Sequence, residues 1–253
     1  MAPSTPEPAP EPVAESAPEP AAGQAAGEDA LVHEDPLYRD AVVDLLGAVA
    51  YGEISAFERL AEDARMAPSL EDKVAIASMA SAEFGKVAAL HARISQLGVD
   101  PFVAMTPFRA AIDLFHDHTA PADWYEGLVK AFVGDGLAND FYREIAAYLD
   151  PGTRDLVLAA LEDSGHAAFV VDRVRTAIAA DPRLGGRLAL WGRRLMGEAL
   201  TQAQRVAADR DALSSLLAGG LDRPGLDLAA IGRMFTRITE RHAGRMDELG
   251  LAS

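Results

Sequence analysis

One arrangement of charges occurs twice in this chain. In the first half Glu53 interrupts an apolar stretch, and thirty residues later comes Glu83, with Lys86 three positions on. In the second half Asp135 is followed after 28 residues by Asp163, with His166 three positions on. Residues three apart share one face of a helix, so each acid–base pair can reach a common point. Acids on the inward faces of four helices describe a bundle with a carboxylate centre, the architecture that holds two metal ions. The pattern therefore demands four helices whose middles meet. It breaks its own symmetry once, because Lys86 stands where the second half has His166.

The neighbours of each acid support an inward direction. Glu53 has Leu46, Val49, Ala56, Phe57 and Leu60 on its own helical face. Glu83 has Ile76, Met79, Ala80, Val87 and Leu90, Asp135 has Leu128, Ala131, Phe132 and Tyr142, and Asp163 has Leu156, Ala159, Ala160, Ala167 and Val170. Each acid interrupts a stripe that is otherwise core. Buried acids are costly unless protonated, paired with a base or bound to a metal ion.

Alanine is abundant, and apolar residues recur at spacings of three and four, which predicts an all-α chain. Helix one is expected from Pro36 to Arg65 and helix two, capped by Ser69, up to Leu97 with Gly98 just beyond its end. Residues 99–120 read as a long crossover broken by Pro101 and Pro107, with a short helical piece over Pro107–Phe115. Helix three is expected over Ala122–Tyr148. Asp150-Pro151 and Asp181-Pro182 are caps followed by first-turn prolines, opening helix four (to Ala180) and helix five (to Leu217). Helix six is expected over Leu226–Leu249. Two helix pairs joined by one long crossover is the ferritin-like connectivity, here with two additional C-terminal helices.

The expected domain is 36–253. Residues 1–35 read as a Pro/Glu/Ala-rich tail that buries too little apolar surface to fold. The tail has neither the basic start nor the apolar core of a signal peptide. Formal net charge is −16; the first 35 residues hold eight acids and no Lys or Arg, which leaves −8 for the remainder. So acidic a surface argues against nucleic acid as a partner. No cysteine is present, which excludes disulfides and thiolate metal sites and fits a cytoplasmic location. No apolar run reaches membrane-spanning length, so no membrane partner is expected.

Other polar residues have ordinary readings. His91 is rotated off the face of Lys86 and reads as a helix-surface or capping residue. His116 and His118 read as loop residues before Pro121, Glu126 as a capping or solvated residue, and Arg193, Arg194, Glu198, Gln202 and Arg205 as a salt-bridged face.

The stretches AYGEISAFERLAEDARMAPSLEDKVAIASMASAEFGK, WYEGLVKAFVGDGLANDFYREIA and LEDSGHAAFVVDRVRTAI resemble actinobacterial ferritin-like proteins grouped with tRNA 2-methylthio-isopentenyladenosine hydroxylase (MiaE-like). The resemblance covers most of 36–250. It implies a ferritin-like four-helix core and an O2-activating non-haem di-iron hydroxylase served by an electron-donor protein. It assigns Glu53, Glu83, Asp135, Asp163 and His166 as ligands of two irons; by their own chemistry, carboxylates with one imidazole suit iron or manganese, as one ion or two. Lys86 departs from the family's histidine and is expected to balance charge or donate a proton beside the ions. The alternative is a metal-free bundle acting as a scaffold or binding protein, with Lys86 compensating the buried acids. A homo-oligomer is compatible with either reading.

Overall fold

A computed structural model describes residues 35–162, 167–218 and 228–252. All regular structure among them is helical, in the order α1 (Pro36–Asp63), α2 (Leu70–Gln96), α3 (Pro101–Met105), a single 3-10 turn (Thr106–Phe108), α4 (Arg109–His118), α5 (Trp124–Ala146), α6 (Pro151–Ala160), α7 (Ala167–Ala180), α8 (Pro182–Asp209), α9 (Asp211–Ala218) and α10 (Leu228–Glu248). No helix among the described residues is long and apolar enough to cross a membrane.

Local chemistry sets most of the ends. The Asp35 carboxylate accepts from the amides of Leu37 and Tyr38, and Pro36 occupies the first turn, where its missing N–H costs nothing. The Ser69 hydroxyl accepts from the Asp72 amide at 3.0 Å and donates to the Asp72 carboxylate at 2.7 Å. Gly98, at φ 75°, takes the left-handed conformation that closes α2. Asp123, Asp150 and Asp181 cap α5, α6 and α8 in the same manner. The Tyr38 hydroxyl donates to the Asp150 carboxylate at 3.1 Å and accepts from the Asp150 amide at 2.6 Å, clamping the start of α1 to the start of α6.

The bundle consists of α1, α2, α5 and the α6–α7 pair, with α3, the 3-10 turn and α4 forming the crossover. Gly47 permits the closest approach in it. A β-carbon there would lie 2.7 Å from the backbone carbonyl carbon of Ala104, so any side chain would force α1 off the crossover. The C-terminal helices pack outside: α8 against α5, α4 and α7, α9 against α1, and α10 against α5. Trp191 on α8 donates its indole N–H to the Glu126 carbonyl at 3.0 Å, and Arg187 pairs with Asp123 and Glu126. On α10, Arg237 and Arg241 hold Glu144, and Arg245 holds Asp140.

Two expected helices are interrupted. The region expected to form helix four contains a helix that stops at Ala160 and another that begins at Ala167. Arg143 of α5 donates to the Leu161 carbonyl at 2.9 Å, satisfying a group that continued helix would otherwise occupy. Expected helix five breaks at Arg210, which leaves the helical conformation (φ −126°, ψ 84°) and whose guanidinium pairs with buried Asp44. The crossover is more helical than expected, since α4 runs through His118.

The core is divided in two. One apolar cluster joins the first half of α1, the last turns of α2, the end of α5, and α6. The other joins the end of α1, the start of α2, the first part of α5, and α7, α8 and α10. Ala160 belongs to the first cluster and Val170 to the second, so the interruption between α6 and α7 falls at the division. Glu53, Glu83, Lys86 and Asp135 occupy that same level.

Candidate functional site: a lysine-centred carboxylate cluster in an apolar cavity

Between the two clusters lies a cavity of about 550 Å³. Its walls are mainly apolar and include Val49, Leu60, Phe108, Ile112, Phe115 and Phe132. Glu53 enters from α1, Glu83 and Lys86 from α2, and Asp135 from α5. Their position follows from the sequence pattern, because each lies on the apolar stripe of its own helix.

The Lys86 ammonium lies 2.5 Å from the Glu83 carboxylate and 3.6 Å from that of Glu53. Glu53 is 7% exposed. Burial first, and then the neighbouring Glu83 carboxyl, push Glu53 from its ordinary 4.5 up to about 9, against the pull of Lys86. Burial opposes the Lys86 charge, but Glu53, Glu83 and Asp135 outweigh it and hold its pKa above the ordinary 10.5. Asp135 retains some accessible area because it borders the cavity, yet protein surrounds it. Burial and the Glu83 charge push it from 3.8 to about 8, with Lys86 and Lys130 offsetting part of the rise. Beside Glu53, Gly52 leaves room for the Tyr142 hydroxyl, which a β-carbon at 52 would approach to 3.2 Å. Burial and then Glu53 raise the pKa of that phenol, so it is neutral.

A second polar group extends the first. Lys130 is 5% exposed and donates to the Thr119 carbonyl at 2.8 Å. Burial lowers its pKa to about 8, and burial raises that of neighbouring Asp63 to about 6. His116 borders the cavity with an enclosed Nδ1 that has no hydrogen-bond partner. Burial, then Lys130 and Arg59, push it down to about 3, so the imidazole is neutral.

Of the six residues singled out by the sequence pattern, the structure brings Glu53, Glu83, Lys86 and Asp135 together. Asp163 and His166 lie outside the described residues. Lys86 turns inward, toward Glu83 and Glu53. One carboxylate oxygen of each, Oε2 of Glu83 and Oε2 of Glu53, faces this ammonium. Among the described residues no group of three or more His, Asp or Glu is arranged to hold a metal ion. The described residues alone therefore do not fit a di-metal centre.

His116 corrects an expectation, since it sits in the last turn of α4 with its ring at the cavity and not in a loop. His118 is exposed and pairs with Glu198 at 2.8 Å. Glu126 acts as a cap, accepting from the Ala122 amide at 2.8 Å, and Gln202 borders the cavity from α8. Lys130 was missed altogether. Its signal was present: it is the one charge in the apolar run from Gly127 to Val133.

Comparison with curated proteins finds no match. A family model described as "Ferritin-like domain, actinomycetes" matches residues 36–220, which spans the bundle, its crossover and the lysine-centred cluster. With a helical bundle of the matching connectivity and a match over most of its length, this chain belongs to the ferritin-like domain family of actinomycetes.

Proposed function

We propose that the chain is a small-molecule-binding member of its family, in which Lys86 takes the place of a metal ion at the centre of the bundle. The observation that carries this reading is the Lys86 ammonium seated between Glu83 and Glu53 at the edge of a cavity of about 550 Å³. That volume lies within the range of small-molecule sites, and an apolar wall with a few convergent polar groups is their usual lining. The lysine supplies the positive charge that the acids require, so the cavity keeps its shape without an ion.

A second reading draws on the convergence of Glu53, Glu83 and Asp135. It is a non-haem hydroxylase or oxidase related to the MiaE-like enzymes, with a reduced metal site completed by Asp163 and His166. It requires Lys86 to leave both carboxylates.

Elemental analysis of protein from iron-supplemented cells separates the two, together with titration of the same protein with a medium-chain alkanol. Saturable alkanol binding without stoichiometric iron is the expected result. A ratio approaching two irons per chain, lost in His166→Ala, overturns the binding-protein reading and favours the hydroxylase.

A further inference from the structure

One carboxyl at the cavity has no partner among the described residues, and it points to the kind of ligand. Three acids meet at the cavity's centre: Glu53 from α1, Glu83 from α2 and Asp135 from α5. Among the described residues one base, Lys86, reaches them, and it is committed to Glu83 and Glu53. Asp135 has no hydrogen bond and no ion pair among the described residues, although the bundle encloses it and its carboxyl borders the cavity. The other bases at the cavity are engaged elsewhere, Arg143 with the Leu161 carbonyl and Arg245 with Asp140. Lys130 of α5 donates to the Thr119 carbonyl and faces Asp63, while Arg59 of α1 pairs with Glu62 at 2.9 Å. From α4 the cavity receives His116, and from α5 Tyr142, both without charge.

We propose that the cavity binds an amphiphilic amine, with its ammonium received by Asp135 beside Glu53 and its apolar part lying along Phe108, Ile112, Phe115 and Phe132. This rests on the small-molecule-binding reading above and names its ligand class. A neutral ligand leaves Asp135 with no partner, so the carboxyl must keep a proton. An anionic ligand brings a second negative charge beside the Glu83 carboxylate, whose one counter-charge is Lys86 among the described residues. A cation supplies the missing partner through a charge-assisted hydrogen bond. The raised pKa of Asp135 fits this direction, because a carboxyl lacking a counter-charge in a buried site is one that a bound cation returns to its ionised form.

The test is calorimetric titration of the full chain with decylamine, decanol and decanoate at about pH 7.5 and about 0.15 M salt, where surface attraction is screened. Decylamine is expected to bind once per chain, roughly ten- to a hundredfold tighter than decanol. Asp135→Asn is expected to reduce the amine to the affinity of the alcohol and to leave the alcohol unchanged. Should that variant fail to fold, the parent titrated in buffers of different ionisation enthalpy supplies a second readout. Binding of the amine, and not of decanol, should release protons from the protein. Decylamine no tighter than decanol, an unchanged amine affinity in Asp135→Asn, or amine binding without proton release overturns the proposal while leaving a binding cavity intact. Failure of all three probes to bind overturns the binding-protein reading as well.

Discussion

Replacing Lys86 with methionine keeps the length of the side chain and removes its charge. The cost can be worked from the surroundings. Lys86 and Glu83 are 18% and 15% exposed in their side chains and lie 2.5 Å apart. Removing one partner from a buried pair costs roughly 3–5 kcal/mol, because the other is left charged without compensation. Glu53 already holds a proton at neutral pH, so Glu83 alone loses its counter-charge. Partial solvent access relieves it somewhat, which places the loss near the lower end, about 3 kcal/mol. In a domain of this size that lowers the melting temperature by roughly 6–12 °C. Adding Glu83→Gln should restore most of it, since removing both partners leaves no orphaned charge. Circular dichroism melts of the parent, the single and the double variant give the answer. A single variant as stable as the parent, or a double variant no better than the single, refutes the pairing.

Three further outcomes follow from the geometry. Glu53 and Asp135 hold protons in the folded chain that the unfolded chain has released, so folding takes up protons and stability falls as pH rises from about 6.5 to 8. Each group contributes up to about 1.4 kcal/mol per pH unit there, below the range in which Lys130 acts and above that of His116. Urea midpoints should show this slope in the parent and lose it in Glu53→Gln/Asp135→Asn; an unchanged slope in the variant contradicts the assignment. Tyr38→Phe strands the Asp150 amide and removes the donor to its Oδ2, while Oδ1 keeps the Thr153 amide, and should cost about 1–3 kcal/mol in chemical denaturation, with a near-neutral result ruling out the clamp. Gly47→Ala should destabilise by about 1–3 kcal/mol through collision with the Ala104 backbone, against the gain of about 1 kcal/mol that the exchange brings to an unhindered helix. A more stable variant would show that α1 and α3 do not approach so closely.

What the sequence disclosed about this fold is local. Ser69, Gly98, Asp150-Pro151 and Asp181-Pro182 mark helix ends because a cap depends on the residues beside it, and the structure puts ends at each. Glu53, Glu83 and Asp135 were readable as inward because one charge on an apolar stripe can be counted. The interruption after Ala160 was not readable. It depends on Arg143, eighteen residues away in sequence, reaching the Leu161 carbonyl from another helix. The break at Arg210 has the same character, since its partner Asp44 lies 166 positions back. His116 faces the cavity because α4 packs against α1 and α8, which its own neighbours do not encode. Lys130 could have been found by the same count that found Glu53.

A counter-ion attached by a covalent stem differs in kind from one that binds. A metal ion comes from the surrounding pool, exchanges with it and is removed by chelators. Lys86 is delivered with the chain and arrives at Glu83 as α2 folds. Its charge is lost only with its proton, and the acids around it make that loss harder than in water. On the binding-protein reading, the centre of this bundle is completed by synthesis alone, at a stoichiometry of one.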